Sequence, residues 1–278
     1  MKGQAARDKQ LELLKSMEKG SSSSSSGDDA QIEYILGRAA EKAEALAVDE
    51  AAELYRQALG KQPRCLAALN GLADCLMSLG DRDAAMDALR RSIELSPEGN
   101  AERYMNLGQI CEGADALQWL EAGVRILRAE RNAAGSASGE RADLHTGWRE
   151  ATHALASALC SVAEVYLTDA CDEPDAEEKC TSAAEEAVAL VRPLGEQTLA
   201  EPYVTCASLR VSQQRGDEAK ALLMEALAVI NSADEETPPP FDLRLSASKL
   251  LMEAEEPALA LELLQVLRLE HDDHLETW

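Results

Sequence analysis

The chain has 278 residues, with 27 Lys+Arg against 51 Asp+Glu and a formal net charge of −24. Hydrophobic residues make up 46% but aromatics only 3%, so Ala and Leu carry the apolar content and favour helix over sandwich or barrel. The acidity argues against a nucleic-acid binder, which needs clustered Lys and Arg for phosphates, and against an anionic membrane surface; a basic partner fits it.

The first twenty residues carry five basic and three acidic side chains and no apolar h-region of a secretory signal. A short helix is expected there, with Leu11 and Leu14 on one face. Ser21–Ser26, followed by Gly27-Asp28-Asp29, has the composition of a flexible linker, which sets residues 1–30 apart as an N-terminal segment. From residue 31 to 278 helix follows helix, with turn signals at Lys61-Gln62-Pro63, Gly80-Asp81, Pro97-Glu98-Gly99, Pro193, Pro202 and Pro238-Pro239-Pro240. Arg131–Gly147, rich in Ala, Gly and Ser, reads as a long loop insertion, and Ser232–Pro240 as a second loop. No run approaches the ~20 apolar residues of a membrane span. Seven cysteines without a C-x-x-C fall mostly inside helical patterns. They point to reduced thiols in an intracellular compartment rather than to a disulfide framework, with Cys171–Cys180 the one pairing considered.

Internal repetition is the strongest signal. Ala51 and Ala85, Tyr55 and Leu89, Ala58 and Ser92, Pro63 and Pro97, and Ala39 and Ala73 are five pairs at one offset, 34 residues. The unit is a helix, a tight turn, a second helix and a closing proline. It resembles the tetratricopeptide repeat. Two antiparallel helices approach closely only where the crossing residues are small; here those are Ala39, Ala51 and Ala58, then Ala73, Ala85 and Ser92. A third copy starts at Ala101, with Tyr104, Leu107 and Gly108 in helix A and Ala116, Leu120 and Gly123 in helix B. A fourth has a long first helix over Glu150–Cys171 and a second over Asp175–Val191. A fifth runs from Ala200 through Tyr203, Ala207, Ala219, Leu223 and Ala226, and a weak sixth covers Asp242–Arg268. His274–Trp278 looks like the opening of a further helix A, which suggests a truncated C-terminus. The expected fold is all-α, a right-handed superhelical solenoid of about six helix pairs with a concave groove lined by the A helices.

Positions two, five, nine and twelve or thirteen of each helix A should face that groove. They give Glu33 and Glu44; Asn70 and Asp74; Glu102, Gln109 and Glu112; Glu164 and Asp169; and Glu201. Beyond Asp169 the chain adds Asp172, Glu173, Asp175, Glu177 and Glu178. The charged groove positions are all acidic, and the run past Asp169 is relieved only by Lys179, so the groove suits a Lys/Arg-rich ligand, with affinity and encounter rate falling as salt rises. The bland alternative is a solvated helix face in a chain that is acidic throughout. A clamp of cations for the acidic tail of heat-shock chaperones is missing: the corresponding positions are Leu36 and Ala40.

Some stretches are more specific than a generic repeat. They are Tyr104–Gln109 (YMNLGQ), Ala114–Leu127 (ADALQWLEAGVRIL), Ala158–Cys180 (ALCSVAEVYLTDACDEPDAEEKC) and Ala207–Glu218 (ASLRVSQQRGDE). Together they resemble the dedicated assembly chaperones of ribosomal protein L-four, a eukaryotic tetratricopeptide-repeat family. The resemblance covers residues 100–230, the flanks matching only as generic repeats. It implies a non-catalytic chaperone that grips the long basic loop of a newly made large-subunit ribosomal protein. It further implies shielding of that loop between cytoplasm and nucleus and release at the pre-ribosome. The Ser-rich N-terminal segment and the early C-terminal stop depart from the family pattern.

No P-loop, G-x-G-x-x-G or G-x-S-x-G is present in the sequence, and no cofactor is expected. His271 and His274 around Asp272-Asp273 read as a solvated linker before a metal site, and His145 and His153 have no nucleophile partner at useful spacing. Trp119 and Trp148 read as packing residues, because no basic patch surrounds them. The expected partner is a basic ribosomal protein, with no direct nucleic acid and no membrane, and the expected state is a monomer in cytoplasm and nucleus. The rival is a scaffold subunit of another complex, which predicts a mixed or apolar groove and binding that barely responds to salt.

Overall fold

The computed structural model describes residues 24–137, 142–195, 198–234 and 237–270. Every α-helix among them belongs to an antiparallel pair, and the chain divides into two compact units, residues 1–99 and 100–278.

The first unit holds α1 (Ser24–Glu44), α2 (Val48–Lys61), α3 (Leu66–Ser78) and α4 (Arg82–Leu95). α1 packs on α2 and α3 on α4, with α3 also against α1 and α2. The six small residues spaced for helix crossings, Ala39, Ala51, Ala58, Ala73, Ala85 and Ser92, all have 0% exposure. A seventh close approach lies between the pairs: a Cβ on Gly71 would collide with the Tyr55 ring. The turns inside the pairs repeat as well. Ala47 N–H bonds Lys42 C=O at 2.9 Å, and 34 residues on, Asp81 N–H bonds Leu76 C=O at 2.9 Å. The residue before each donor, Leu46 (φ 58°) or Gly80 (φ 77°), is left-handed, which closes the helix by satisfying a terminal carbonyl. Asp81 then caps α4, accepting the Ala84 N–H at 3.3 Å.

The second unit holds α5 (Glu102–Ile110), α6 (Gly113–Ala137), α7 (Ala142–Leu167), α8 (Ala176–Val191), α9 (Glu201–Ser212), α10 (Gly216–Ser232), α11 (Phe241–Glu253) and α12 (Pro257–Glu270). A short 3₁₀ turn, Arg192–Leu194, follows α8. The same turn recurs in the α9–α10 and α11–α12 pairs, where Arg215 N–H bonds Arg210 C=O at 2.8 Å and Glu256 N–H bonds Leu251 C=O at 2.9 Å. The pairs are α5–α6, α7–α8, α9–α10 and α11–α12, and the first helices form a layer of their own, α7 on α9 and α9 on α11. Small residues again set the spacing: Ala163, Ala184, Ala187, Ala207, Ala219, Ala226, Ala247 and Ala260 are at 0% exposure. A Cβ on Gly108 would strike Leu120, and one on Gly123 would come within 2.8 Å of Met105 Sδ. This is a tetratricopeptide-repeat solenoid, as the 34-residue spacing predicts.

Two boundaries differ from the sequence reading. Arg131–Gly147 is not a long loop: α6 continues to Ala137 and α7 starts at Ala142, leaving only residues 138–141 outside the description. The alanines of this stretch keep helix propensity high, and packing holds the two ends together. The Arg131 guanidinium lies 5.3 Å from the Trp148 ring centroid and donates to Thr152 Oγ1 at 3.1 Å. Gly135 leaves room for Trp148, whose ring a Cβ there would approach to 3.3 Å. The expected linker also ends earlier, since α1 begins at Ser24, inside the serine run. The expected helix of residues 1–20 and the stretch His271–Trp278 lie outside the described residues.

Candidate partner-binding site

In the second unit the first helices of the four pairs build a strip of three hollows that share residues. The smallest, about 360 Å³, lies over α5, α6 and α7 and includes Glu102, Met105, Gln109, Glu130, Ser157 and Ser161. A second, about 440 Å³, shares Gln109 and Ser161 with it and adds Glu164, Thr168 and Asp169. The largest, about 910 Å³, shares Ser157 and Glu164 with the others and runs over α7, α9 and α11. Helical spacing explains the α7 contribution: Ser157, Ser161, Glu164 and Thr168 recur every three or four residues and so share a face. Seven acidic side chains line the three hollows, Glu102, Glu130, Glu164, Asp169, Glu201, Asp242 and Glu253, against one basic side chain, Lys249.

Two of these carboxyls link α7 to α9. Glu201 is half-buried and accepts the Ser157 hydroxyl at 2.7 Å. Burial raises its pKa above the ordinary carboxylate range; the Ser157 bond opposes that rise and the neighbouring Glu164 adds to it. Glu164 accepts from Thr205 Oγ1 at 3.4 Å, and burial raises its pKa too, against the pull of that bond. Glu164 is nevertheless exposed as a whole residue at the rim of the hollow it shares with Ser157 and Thr205. At the other end, Asn100 (φ 52°) holds Glu102: Glu102 N–H donates to Asn100 Oδ1 at 2.9 Å, and Asn100 Nδ2 donates to Glu102 Oε2 at 3.4 Å.

Three arginines of this unit are engaged elsewhere. Arg128 forms a two-pronged pair with Glu186 at 2.8 and 2.9 Å, and Arg192 one with Glu225 at 3.0 and 2.8 Å. Arg210, nearly buried, bonds Glu185 and lies 3.6 Å from Glu218. These pairs neutralise glutamates of α8 and α10, the second helices, while the strip on the first helices keeps its negative excess.

Known proteins supply the context. A tetratricopeptide-repeat profile matches residues 43–110. A protein of Schizosaccharomyces pombe named as a probable assembly chaperone of rpl4 is 35% identical, the match covering 84% of this chain and 69% of that protein. The chain belongs to the family of rpl4 assembly chaperones. A member from Emericella nidulans under the same name is 32% identical over 83% of this chain and 58% of its own length. The chain thus spans between half and about two thirds of the curated relatives it matches. The solved structure of the assembly chaperone of RpL4, Acl4 (residues 1–338), superposes with a TM-score of 0.78 at 29% identity, over 89% of this chain and 93% of that one. This is a family of chaperones, not of enzymes.

Against that family background, the residues singled out from sequence fall into groups. Glu102, Gln109, Glu164, Asp169 and Glu201 come together in the strip. Glu112 is exposed in the turn after α5 and lines none of the three hollows. Asp172 and Glu173 are exposed in the α7–α8 connection. Glu173 lines a separate hollow of about 700 Å³ with Asp175, Glu177, Glu178 and Glu185. In the first unit Glu33, Glu44 and Asp74 are exposed on α1 and α3. Asn70 is half-buried there, and its Oδ1 accepts the Ser92 hydroxyl at 2.5 Å, tying α3 to α4.

Sequence reasoning missed Glu130, Asp242, Lys249 and Glu253. The last three occupy positions two, nine and thirteen counted from Phe241, so the same register rule finds them once the sixth pair is aligned. Glu130 comes from a second helix, where the rule does not look. Two buried cysteines are poor nucleophiles: burial raises the Cys160 thiol and pushes Cys180 up to about 11, and Cys180 donates to Ala163 C=O at 3.4 Å. Burial, and then the nearby Arg149 charge, lower the His153 pKa. His145's side chain, His271 and His274 lie outside the described residues.

Proposed function

We propose that this chain is an assembly chaperone of ribosomal protein Rpl4 and that the strip on α5, α7, α9 and α11 binds the basic loop of that protein. The observation that carries this reading is the seven-to-one excess of acidic over basic side chains along the strip. Carboxylates placed there stand in for the RNA phosphates that later neutralise the loop, so a Lys/Arg-rich segment is held away from aggregation and from wrong RNA. The names of the two fungal relatives and of the superposed structure support the same partner. Binding is reversible masking by charge and shape, and it operates from synthesis in the cytoplasm to delivery in the nucleus.

The test is co-expression with Rpl4 from the same organism and pull-down across a salt series. A one-to-one complex that weakens as salt rises, and is lost when the basic loop of Rpl4 is deleted, is the expected result. A complex indifferent to both salt and loop deletion overturns the acidic-strip mechanism.

A further inference from the structure

The largest hollow of the strip differs from the other two in its walls. Leu167, Leu199, Val204, Leu243, Leu250 and Pro240 are among the residues that line its 910 Å³. Four carboxylates, Glu164, Glu201, Asp242 and Glu253, stand around this apolar interior, with Lys249 beside them. A surface that binds only by charge has no use for such a chamber. Apolar walls left against water are unfavourable, and an occupant that covers them recovers that free energy. One polar atom points the same way: Thr198 Oγ1, in the lining, is buried and has no hydrogen-bond partner among the described residues. It can serve a ligand's backbone amide or carbonyl.

We propose that this hollow is an anchor site for one large apolar side chain, Leu or Phe in kind, carried by an extended peptide with Lys or Arg on both sides of it. The proposal rests on the strip being the partner-binding surface. The complementarity is double: the interior takes the apolar side chain, and the surrounding carboxylates take the flanking cations. Charge along the strip then governs encounter, while the anchor sets the register of the bound segment and persists in salt. A uniformly basic segment lacks the anchor, and an apolar segment without cations leaves the partly desolvated Glu164 and Glu201 carboxyls unpaired.

The experiment uses the full chain and labelled synthetic peptides of equal length, each with a central Leu, Phe or Gly between Lys/Arg flanks, plus a Leu-centred peptide with Ser flanks. Fluorescence anisotropy is read at about 0.1 M and about 0.5 M NaCl. The variant is Ser246→Trp, an exposed α11 position that lines the hollow, so the indole obstructs it from the α11 side without disturbing the core. Ser208→Tyr, on α9, fills it from the other side. Circular dichroism confirms that each is folded. The Leu and Phe peptides are expected to bind about tenfold or more tighter than the Gly peptide at the higher salt. Either filled variant should erase that preference and leave the Gly peptide unaffected. Equal binding of the Gly and Leu peptides, an unchanged preference in both filled variants, or equal binding of the Ser-flanked peptide overturns the anchor site. Full-length Rpl4 is titrated in parallel. Discrimination among peptides without any Rpl4 binding supports the anchor site and overturns the Rpl4 reading. Rpl4 binding that neither filled variant weakens overturns the anchor site and supports the Rpl4 reading.

Discussion

The first two helix pairs and the four that follow are built from the same unit with different results. Over residues 24–99 the 34-residue spacing is kept so closely that crossing residues and turn hydrogen bonds repeat at the same offset. Small residues fill the crossings, Asn70 is drawn into a bond with Ser92, and the acids Glu33, Glu44 and Asp74 stay on open helix faces. Over residues 100–278 the first helices range from nine residues in α5 to 26 in α7. That inequality accompanies the hollows, and in them Glu164 and Glu201 lose part of their hydration. A strict repeat satisfies its own packing at the crossings. Depth, and with it electrostatic strength, arises where the repeat is uneven, because low local polarisability strengthens a charge interaction.

The comparison breaks most directly by charge reversal. Changing Glu102, Glu164, Asp169 and Glu201 together to Lys should weaken Rpl4 binding by about a hundredfold or more, read by calorimetric titration at fixed salt. Reversing Glu33, Glu44, Asp74 and Glu112 together should change it by no more than about threefold, since these side chains line none of the three hollows and act on the ligand only through screened solvent. Equal losses from the two sets would erase the distinction between the regions.

Stability sharpens it next. Arg244 on α11 has a side chain only 5% exposed and meets Glu270 at the end of α12 with bonds of 2.7 and 2.6 Å. Glu270→Ala leaves that cation buried beside its unpartnered Nε and should cost about 3 kcal/mol in urea denaturation. In the regular region the decisive residues are small instead. Gly71→Ala forces a Cβ into the Tyr55 ring and should cost about 1–3 kcal/mol. Gly60→Ala, on α2 with nothing within 4 Å of the new Cβ, should stabilise by about 0.5–1 kcal/mol. The opposite signs of two identical substitutions separate a packing glycine from a merely flexible one.

How much of this was legible in sequence follows the same division. The crossing alanines and Ser92 were readable because close helix contact admits few residue types, and the offset repeats them. Glu102, Gln109, Glu164, Asp169 and Glu201 were readable because helix register carries position into direction. Asn70 satisfies the same register, yet its oxygen serves Ser92, a bond across helices that periodicity does not report. The stretch Arg131–Gly147 was misread because Gly and Ser suggested a loop, while Arg131, Gly135, Trp148 and Thr152 supply helix-to-helix contacts invisible to local composition. The apolar chamber depends on three helices and the segments before α9 and α11, so no single window of sequence contains it.

The smallest expected effect concerns Glu201 and has two signs. Its carboxyl, like that of Glu164, holds its proton to higher pH than an ordinary glutamate because burial disfavours the charge. A cationic ligand needs the ionised form, so affinity for Rpl4 should rise as pH increases through the raised carboxyl range and then level off. Stability responds in the other direction. The folded chain holds these protons more tightly than the unfolded chain. Their contribution to folding is therefore full below the ordinary glutamate pKa and is lost as pH rises through the raised value. Above the raised value both groups carry charge in a site where burial disfavours it. Glu201→Gln keeps an acceptor for Ser157 and removes the charge. It should raise the thermal midpoint at pH 7 by at most about 2 °C, leave it unchanged near pH 4, and weaken Rpl4 binding. A variant that lowers both midpoint and binding would place Glu201 among the packing residues, and the contrast between a satisfied repeat and an unsatisfied site would lose its clearest member.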